Sequence, residues 1–295
     1  MVKIEILKEE DNKIQVLLSM TDRSFANALR RSLISDTPKM AIDSVRFQLG
    51  TKEQDDEIWE TTGPIPDEMV AQRLAMIPIP TVHDKFYFQD ECPNCKDLVE
   101  ADMGCLECQM IYTCVVFGTE EGRWVIAGDM KYLGEEALEI PDEFKSIPIT
   151  KLMKGQMIEF YATAIMGRGR DHTKWSPVCG VTFQPRRIGV LNNKTKAKIL
   201  WDMDLEISAK DFNKDGRLED VDKVAILSDE LNHVGEGTEE SRTFKDAISL
   251  EEVSGEFILS FETDGSMSPK TAFMRAVEEL SGEFGSLEKD LASSL

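Results

Sequence analysis

The sequence predicts an α+β fold, and three observations lead to that prediction. Two short segments near the N-terminus, 2–7 and 13–18, alternate apolar and polar residues with the period of β-strands. An amphipathic helix follows them at 22–35. Further strand-like segments fill the centre of the chain, and a strand at 255–263 leads into a last amphipathic helix. Helices at both ends therefore flank a strand-rich centre.

Composition indicates a globular protein and limits its partners. The 295 residues are 41% hydrophobic, enough for a large core in two or three domains. No apolar run approaches the roughly 18 residues of a membrane span, and the start, MVKIEILKEED, is typical of a strand rather than a signal peptide. We therefore expect a cytoplasmic protein without membrane contact. The formal net charge of −21 repels phosphate backbones, so direct DNA binding is not expected.

The most informative stretch is 22–46. Asp22 is a candidate helix cap, because its side-chain oxygen can accept the free N–H groups of the first turn. Apolar residues then recur with helical spacing and line one face of the helix: Phe25, Ala28, Leu29 and Leu33. Pro38 ends the helix, and a strand follows at 40–45. By itself, such a helix indicates only packing on a sheet.

Two further motifs lie downstream. Prolines bracket a short helix at 64–78, which ends in RLAMIPI and contains Arg73. The second motif is the basic, glycine-rich loop GRGRDHTKWSP at 167–177. It lacks the full spacing of a P-loop, so phosphate binding is the less favoured interpretation. His172 beside Asp171 could serve as a general base, but no Ser or Cys nucleophile is arranged in sequence to suggest a triad.

The remaining segments differ in composition. We expect 50–63 to form a polar, acidic loop or insertion anchored by Trp59, and 188–246 to be a charged insertion with a strand-like stretch at 197–201. The last helix starts at Ser268-Pro269, where proline suits the first turn. Its apolar stripe consists of Phe273, Val277, Leu280, Phe284, Leu287 and Leu291.

Four of the six cysteines form two CxxC motifs separated by nine residues: Cys92, Cys95, Cys105 and Cys108. Two such turns can aim four thiolates at one point, which predicts a closed, structural zinc site. An iron–sulfur cluster at the same cysteines is the runner-up, and four reduced cysteines without a metal remain open as well. Cys114 and Cys179 have no assigned role.

A candidate calcium loop lies at 211–222. Its oxygen donors would be the side chains of Asp211, Asn213, Asp215 and Asp222 and the carbonyl of Arg217. Gly216 stands where such a loop turns sharply, but Asp222 replaces the usual bidentate glutamate. The alternative is an acidic turn with a helix cap.

Taken together, three motifs in order carry a resemblance: SFANALRRSLISDTPKMAIDSVRF, RLAMIPI and GRGRDHTKWSP. The chain resembles the alpha-like assembly subunits of RNA polymerase, which include the archaeal D-type member, the third-largest subunit of eukaryotic polymerase II and the bacterial alpha N-terminal domain. Relatives often carry histidine where this chain has Gln72.

The resemblance implies a domain organisation. A discontinuous dimerisation domain would combine 1–46 with 250–295, and an inserted β-rich domain, 47–187, would carry the zinc loop 92–108. The charged insertion 188–249 occupies the position of the family's ferredoxin-like module but lacks its cysteines.

The resemblance also implies a function. The chain would be a non-catalytic scaffold that pairs with the small alpha-like subunit L, is joined by subunits N and P, and supports the two large catalytic subunits. The implied dimer-interface residues are Phe25, Asn27, Leu29, Arg30, Arg31, Leu33, Phe273, Val277, Leu280 and Phe284. The implied contacts to the large subunits are Arg73, Arg168, Arg170, His172, Lys174 and Trp175. The alternatives are a stand-alone zinc- and calcium-binding regulatory protein and a hydrolase that uses His172.

Overall fold

The structure, a computed structural model, describes residues 2–54, 57–99, 103–198, 207–233 and 247–294. These residues form two compact units. The first comprises 1–8, 15–27 and 182–260, and the second comprises 9–14, 28–181 and 261–295, apart from residues outside the described ranges. The domain boundaries implied by the resemblance stay a prediction.

The helices and strands have the following bounds. In chain order they are β1 (Lys3–Glu9), β2 (Lys13–Ser19), α1 (Arg23–Ser35), β3 (Lys39–Phe47), β4 (Thr51–Gln54), β5 (Glu57–Glu60), α2 (Asp67–Ala75), β6 (Gln109–Phe117), β7 (Arg123–Ile126), β8 (Lys131–Tyr132), β9 (Pro148–Leu152), β10 (Met157–Gly167), β11 (Val178–Leu191), β12 (Arg217–Leu218), α3 (Val221–His233), β13 (Ile248–Thr263) and α4 (Pro269–Ser294). The predicted mixture of helix and sheet is confirmed.

The first unit contains most of a five-stranded sheet with the order β1-β2-β13-β11-β12. A small apolar core in this unit includes Phe212, Leu218 and Leu227. The sequence analysis assigned no element to the long strand β11. Pro185 and the paired Arg186 and Arg187 interrupt its apolar alternation, and proline is unusual inside a sheet.

The second unit holds a four-stranded sheet with the order β3-β10-β6-β8. Its central strand, β10, pairs antiparallel with both β3 and β6, so that Phe160 lies opposite Phe47 on one side and Cys114 on the other. The main core of this unit covers the sheet and includes Leu74 of α2, which is fully buried.

The segment 50–63, expected to be a loop or insertion, contains β4 and β5, which pair antiparallel, and its Trp59 ring meets Phe117 edge-on at 5.0 Å. The stretch 197–201 does not begin as a strand, since Ala197 lies in a turn and Lys198 is helical. Residues 199–201 lie outside the described residues. No helix among the described residues is long and apolar enough to cross a membrane.

Candidate interface surfaces and metal centre

Helix α1 begins and ends through local hydrogen bonds. The Asp22 carboxylate accepts the N–H of Phe25 at 2.8 Å, as the sequence predicted for a cap. At the other end, Asp36 and Thr37 both donate their N–H groups to the Ser32 carbonyl, at 2.9 and 3.1 Å. These bonds satisfy backbone groups at both ends of the helix before Pro38 starts the next segment.

The apolar face of α1 is buried within the chain. Leu29 and Leu33 are each 0% exposed, whereas Arg31 is exposed. This corrects the expectation that Leu29 and Leu33 contact a partner, because a side chain without accessible surface supports the helix from inside instead. Phe25, Asn27 and Arg30 are half-buried.

Helix α4 is buried at its N-terminal end and exposed in its second half. Its first two turns are buried through Pro269, Ala272, Phe273 and Ala276, so Phe273 is also inaccessible to a partner. The apolar side chains of the second half are open: Phe284 is 59%, Leu287 55% and Leu291 57% exposed. Val277 and Leu280 are half-buried between these two regions. The helix therefore presents an apolar stripe that its own chain leaves uncovered.

A groove of about 440 Å³ adjoins this stripe. It lies between the C-terminal half of α1 and the middle of α4. Its lining consists of Ala28, Arg31, Ser35, Asp36, Arg170, Leu280 and Glu283. The groove thus combines two apolar residues, Ala28 and Leu280, with charged groups of both signs.

The loop 167–177 packs against the end of α1. A Cβ on Gly169 would clash with the Ile34 carbonyl oxygen, and one on Gly167 would clash with the Trp175 ring. The N–H of Arg170 donates to the Ser35 carbonyl at 3.0 Å. These glycines allow close packing within the chain, which accounts for them without a bound phosphate.

The basic side chains of this loop have acidic partners in the same chain. Arg168 pairs with Glu279 at 2.9 Å and stacks over the Phe88 ring at 4.4 Å. Arg170 pairs with Asp36 at 2.9 Å, and Lys174 pairs with Asp43 at 2.7 Å. Burial raises the pKa of Glu279, and the Arg168 guanidinium opposes that shift.

Trp175, one of the implied contacts to the large subunits, is half-buried. Its indole N–H donates to the Ile165 carbonyl at 3.1 Å, and the Lys174 ammonium lies 4.2 Å from the ring centroid. His172 is exposed, and its Nδ1 accepts the Lys174 N–H at 3.1 Å. His172 therefore caps a short turn.

Arg73 lies in the last turn of α2, in the second unit, and a hydrogen bond holds its side chain in place. Its guanidinium donates to the Ile149 carbonyl at 2.6 Å, and its residue surface is exposed. The acidic partners Asp36, Asp43, Glu279 and Glu283 were absent from the sequence-based site. Single-sequence spacing gives no signal for such long-range pairs.

The four cysteines converge as predicted. The Cys92 and Cys105 sulfurs are 3.5 Å apart, those of Cys105 and Cys108 are 3.7 Å apart, and those of Cys95 and Cys108 are 3.8 Å apart. All four sulfurs lie within 4.8 Å of one another, and three of the residues are buried. A tetrahedral ion with Zn–S bonds of about 2.3 Å requires sulfur separations of about 3.8 Å.

The two CxxC turns have the same backbone design. In each, the carbonyl of the first cysteine accepts the N–H groups three and four residues later, Cys95 and Lys96 in one turn and Cys108 and Gln109 in the other. Burial raises the pKa of Cys108 to about 12. At Cys105 the same burial effect is outweighed by hydrogen bonds from the Glu107 N–H and the neighbouring thiols, so the pKa is lowered to about 7.

Oxygens of the predicted calcium loop accept hydrogen bonds from groups of the same chain. The Asp211 carboxylate accepts the Ser208 N–H at 2.7 Å and also pairs with Lys223, which lowers the pKa of Asp211 to about 2. The Asn213 side-chain oxygen accepts the N–H groups of Asp215 and Arg217, at 3.0 and 2.9 Å.

The Arg217 carbonyl, a further predicted ligand, accepts the Asn213 N–H at 2.9 Å. Among the described residues, the four cysteines are the only group of three or more His, Cys, Asp or Glu side chains whose donor atoms meet within 4.8 Å. The structure thus does not gather Asp211, Asp215 and Asp222 around one point. Its geometry is that of the alternative, an acidic turn in which Asp220 caps α3 through the Lys223 N–H at 3.0 Å.

The fold and these surfaces define a protein of the alpha-like class, built to associate with other chains. Residues 15–284 match the family described as the RNA polymerase Rpb3/Rpb11 dimerisation domain, and the chain belongs to this family. The family predicted from the three motifs is therefore confirmed.

Proteins that align with nearly the whole chain are named as RNA polymerase subunits. The chain is 30% identical over 296 residues to the DNA-directed RNA polymerase subunit Rpo3 of Picrophilus torridus, covering 98% of this chain and 99% of that protein. It is 29% identical over 298 residues to subunit Rpo3 of Thermoplasma volcanium, covering 99% of this chain and all of that protein (100%). It is 27% identical over 310 residues to the RNA polymerase II subunit rpb3 of Dictyostelium discoideum, covering 99% and 96%.

Proposed function

We propose that this chain is a non-catalytic assembly subunit of DNA-directed RNA polymerase that forms a heterodimer with the small alpha-like subunit L. One observation carries the proposal, namely the uncovered apolar stripe on α4 at Phe284, Leu287 and Leu291. Contiguous exposed apolar surface of this kind marks an interaction site in proteins that otherwise bury such residues. The match to a dimerisation-domain family supports the same conclusion.

The proposed interface uses the accessible part of the predicted set. Val277, Leu280 and Phe284 of α4 form its apolar part, and Arg31 of α1 lies in the adjoining groove. Phe25, Asn27 and Arg30 remain in the proposal as half-buried members. Leu29, Leu33 and Phe273 hold the two helices in place from within.

The remaining partners are proposed from the family. Subunits N and P would join the heterodimer, and the two large subunits would contact the 167–177 loop together with Arg73. The ion pairs of Arg168, Arg170 and Lys174 would shape this loop before it binds. Nucleotidyl transfer would belong to the large subunits, with this chain in the cytoplasm and without direct contact to DNA.

We propose zinc for the cysteine site. Sulfur separations of 3.5 to 3.8 Å suit one tetrahedral ion. An iron–sulfur cluster holds its thiolates on more than one iron and therefore farther apart, which makes it the weaker alternative. With four sulfurs bound, no position is open for water, so the ion would order residues 92–108 rather than take part in a reaction.

Copurification tests the proposed function. The full chain is coexpressed with subunit L, and the complex is isolated by an affinity tag on one chain and size-exclusion chromatography. The variant Leu287→Asp places a charge in the apolar stripe and should abolish pairing. The neighbouring Ser286→Asp, which adds the same charge beside the stripe, serves as the control and should pair normally. A Leu287→Asp chain that still forms a normal heterodimer would refute the proposed interface, and a chain that purifies alone would favour a stand-alone regulatory protein.

A further inference from the structure

The apolar stripe on α4 has the spacing of a coiled-coil seam. Its members, Val277, Leu280, Phe284, Leu287 and Leu291, follow one another in alternating steps of three and four residues. These are the a and d positions of a heptad repeat, at which side chains of two helices interlock. The stripe is therefore narrow, and the residues on either side of it would face the flanks of a partner helix.

The flanks of this seam are acidic. In the same heptad frame, the e and g positions are occupied by Ser281, Glu283, Glu288 and Asp290. The three carboxylates are all exposed. Lys289, the basic residue nearest to them in the sequence of α4, falls at position f on the outer side of the helix. Arg170 reaches Glu283 only at 3.6 Å, so this ion pair leaves the carboxylate available at the edge of the seam.

We propose that these three carboxylates select the partner, a helix with an apolar seam and basic e and g flanks, and reject a second copy of this chain. The inference rests on the proposed function and adds the chemistry of the partner. In a parallel pair of copies, g positions would face e positions, and in an antiparallel pair each would face its own kind. Both arrangements bring carboxylates together, because none of these e and g positions of α4 carries a basic residue. The net charge of −21 on each copy adds to the repulsion.

The test reverses the flank charges in the full-length chain. The variant Glu283→Lys/Glu288→Lys/Asp290→Lys is compared with Glu121→Lys/Glu143→Lys/Glu251→Lys, which changes the net charge equally at three exposed positions elsewhere. Affinity for subunit L is measured at low and high salt, and self-association is measured by analytical ultracentrifugation. We expect the flank variant to bind L about 10- to 100-fold more weakly at low salt, and the control to change affinity by less than about threefold.

A neutral variant provides a second readout that does not depend on L. Glu283→Gln/Glu288→Gln/Asp290→Gln removes the repulsion without adding charge, so it should self-associate more than the wild-type chain. If the flank variant and its control bind L equally, and the neutral variant stays monomeric, the inference is overturned while the proposed heterodimer stands. If the wild-type chain does not bind L at all, the proposed function fails, and the inference with it.

Discussion

Truncation of Phe284 to alanine tests whether this side chain faces a partner or belongs to the core of its own chain. Phe284 is 59% exposed in this chain. Because a phenylalanine side chain buries roughly 200 Å² when fully covered, about 120 Å² remains for a partner to cover. At about 25 cal/mol per Å², covering that area contributes about 3 kcal/mol. Phe284→Ala should therefore weaken heterodimer affinity about 100-fold.

The same substitution should leave the isolated chain almost unchanged, because the side chain has few neighbours of its own. The assay combines isothermal titration calorimetry with subunit L and urea unfolding of the chain alone. Leu133→Ala provides the control, since Leu133 is 57% exposed and lies outside the proposed interface. The reasoning would be refuted if Phe284→Ala lowered the unfolding free energy by several kcal/mol, or if it bound L as tightly as the control does.

Three further predictions concern the interior, the metal and the acidic loop. Leu29→Ala should destabilise the fold by about 2–5 kcal/mol in urea unfolding, because Leu29 is 0% exposed, and unchanged stability would contradict its assignment to the core. Cys105→Ser should release one zinc per chain, measured by atomic emission, and open residues 92–108 to proteases, while pairing with L persists. A metal-free wild-type chain that resists proteolysis there would refute this. Calcium titration of the whole chain should show at most weak binding, roughly 10⁻⁵ to 10⁻³ M, at the amides of Asp215 and Gly216. Binding clearly tighter than about 10⁻⁵ M would contradict the acidic turn.

Features encoded by short-range spacing were predictable from the sequence. The two CxxC turns each place two sulfurs on one side of a local bend, so the candidate metal site could be identified from its four cysteines alone. The same holds for α1, which Asp22 starts and Pro38 follows, and for the heptad spacing of α4. Three motifs in order were specific enough to indicate the family.

The tertiary structure decided which surfaces are free. An amphipathic pattern shows that one face of a helix is apolar, but not whether the same chain or another chain covers it. Leu29 and Phe284 both belong to the apolar stripe of an amphipathic helix. In the structure, however, Leu29 is 0% exposed and Phe284 is 59% exposed. Likewise, Arg168 and Lys174 find carboxylates more than a hundred residues away along the chain. Such pairs depend on how distant segments pack together, and the spacing of residues within one segment carries no information about that packing.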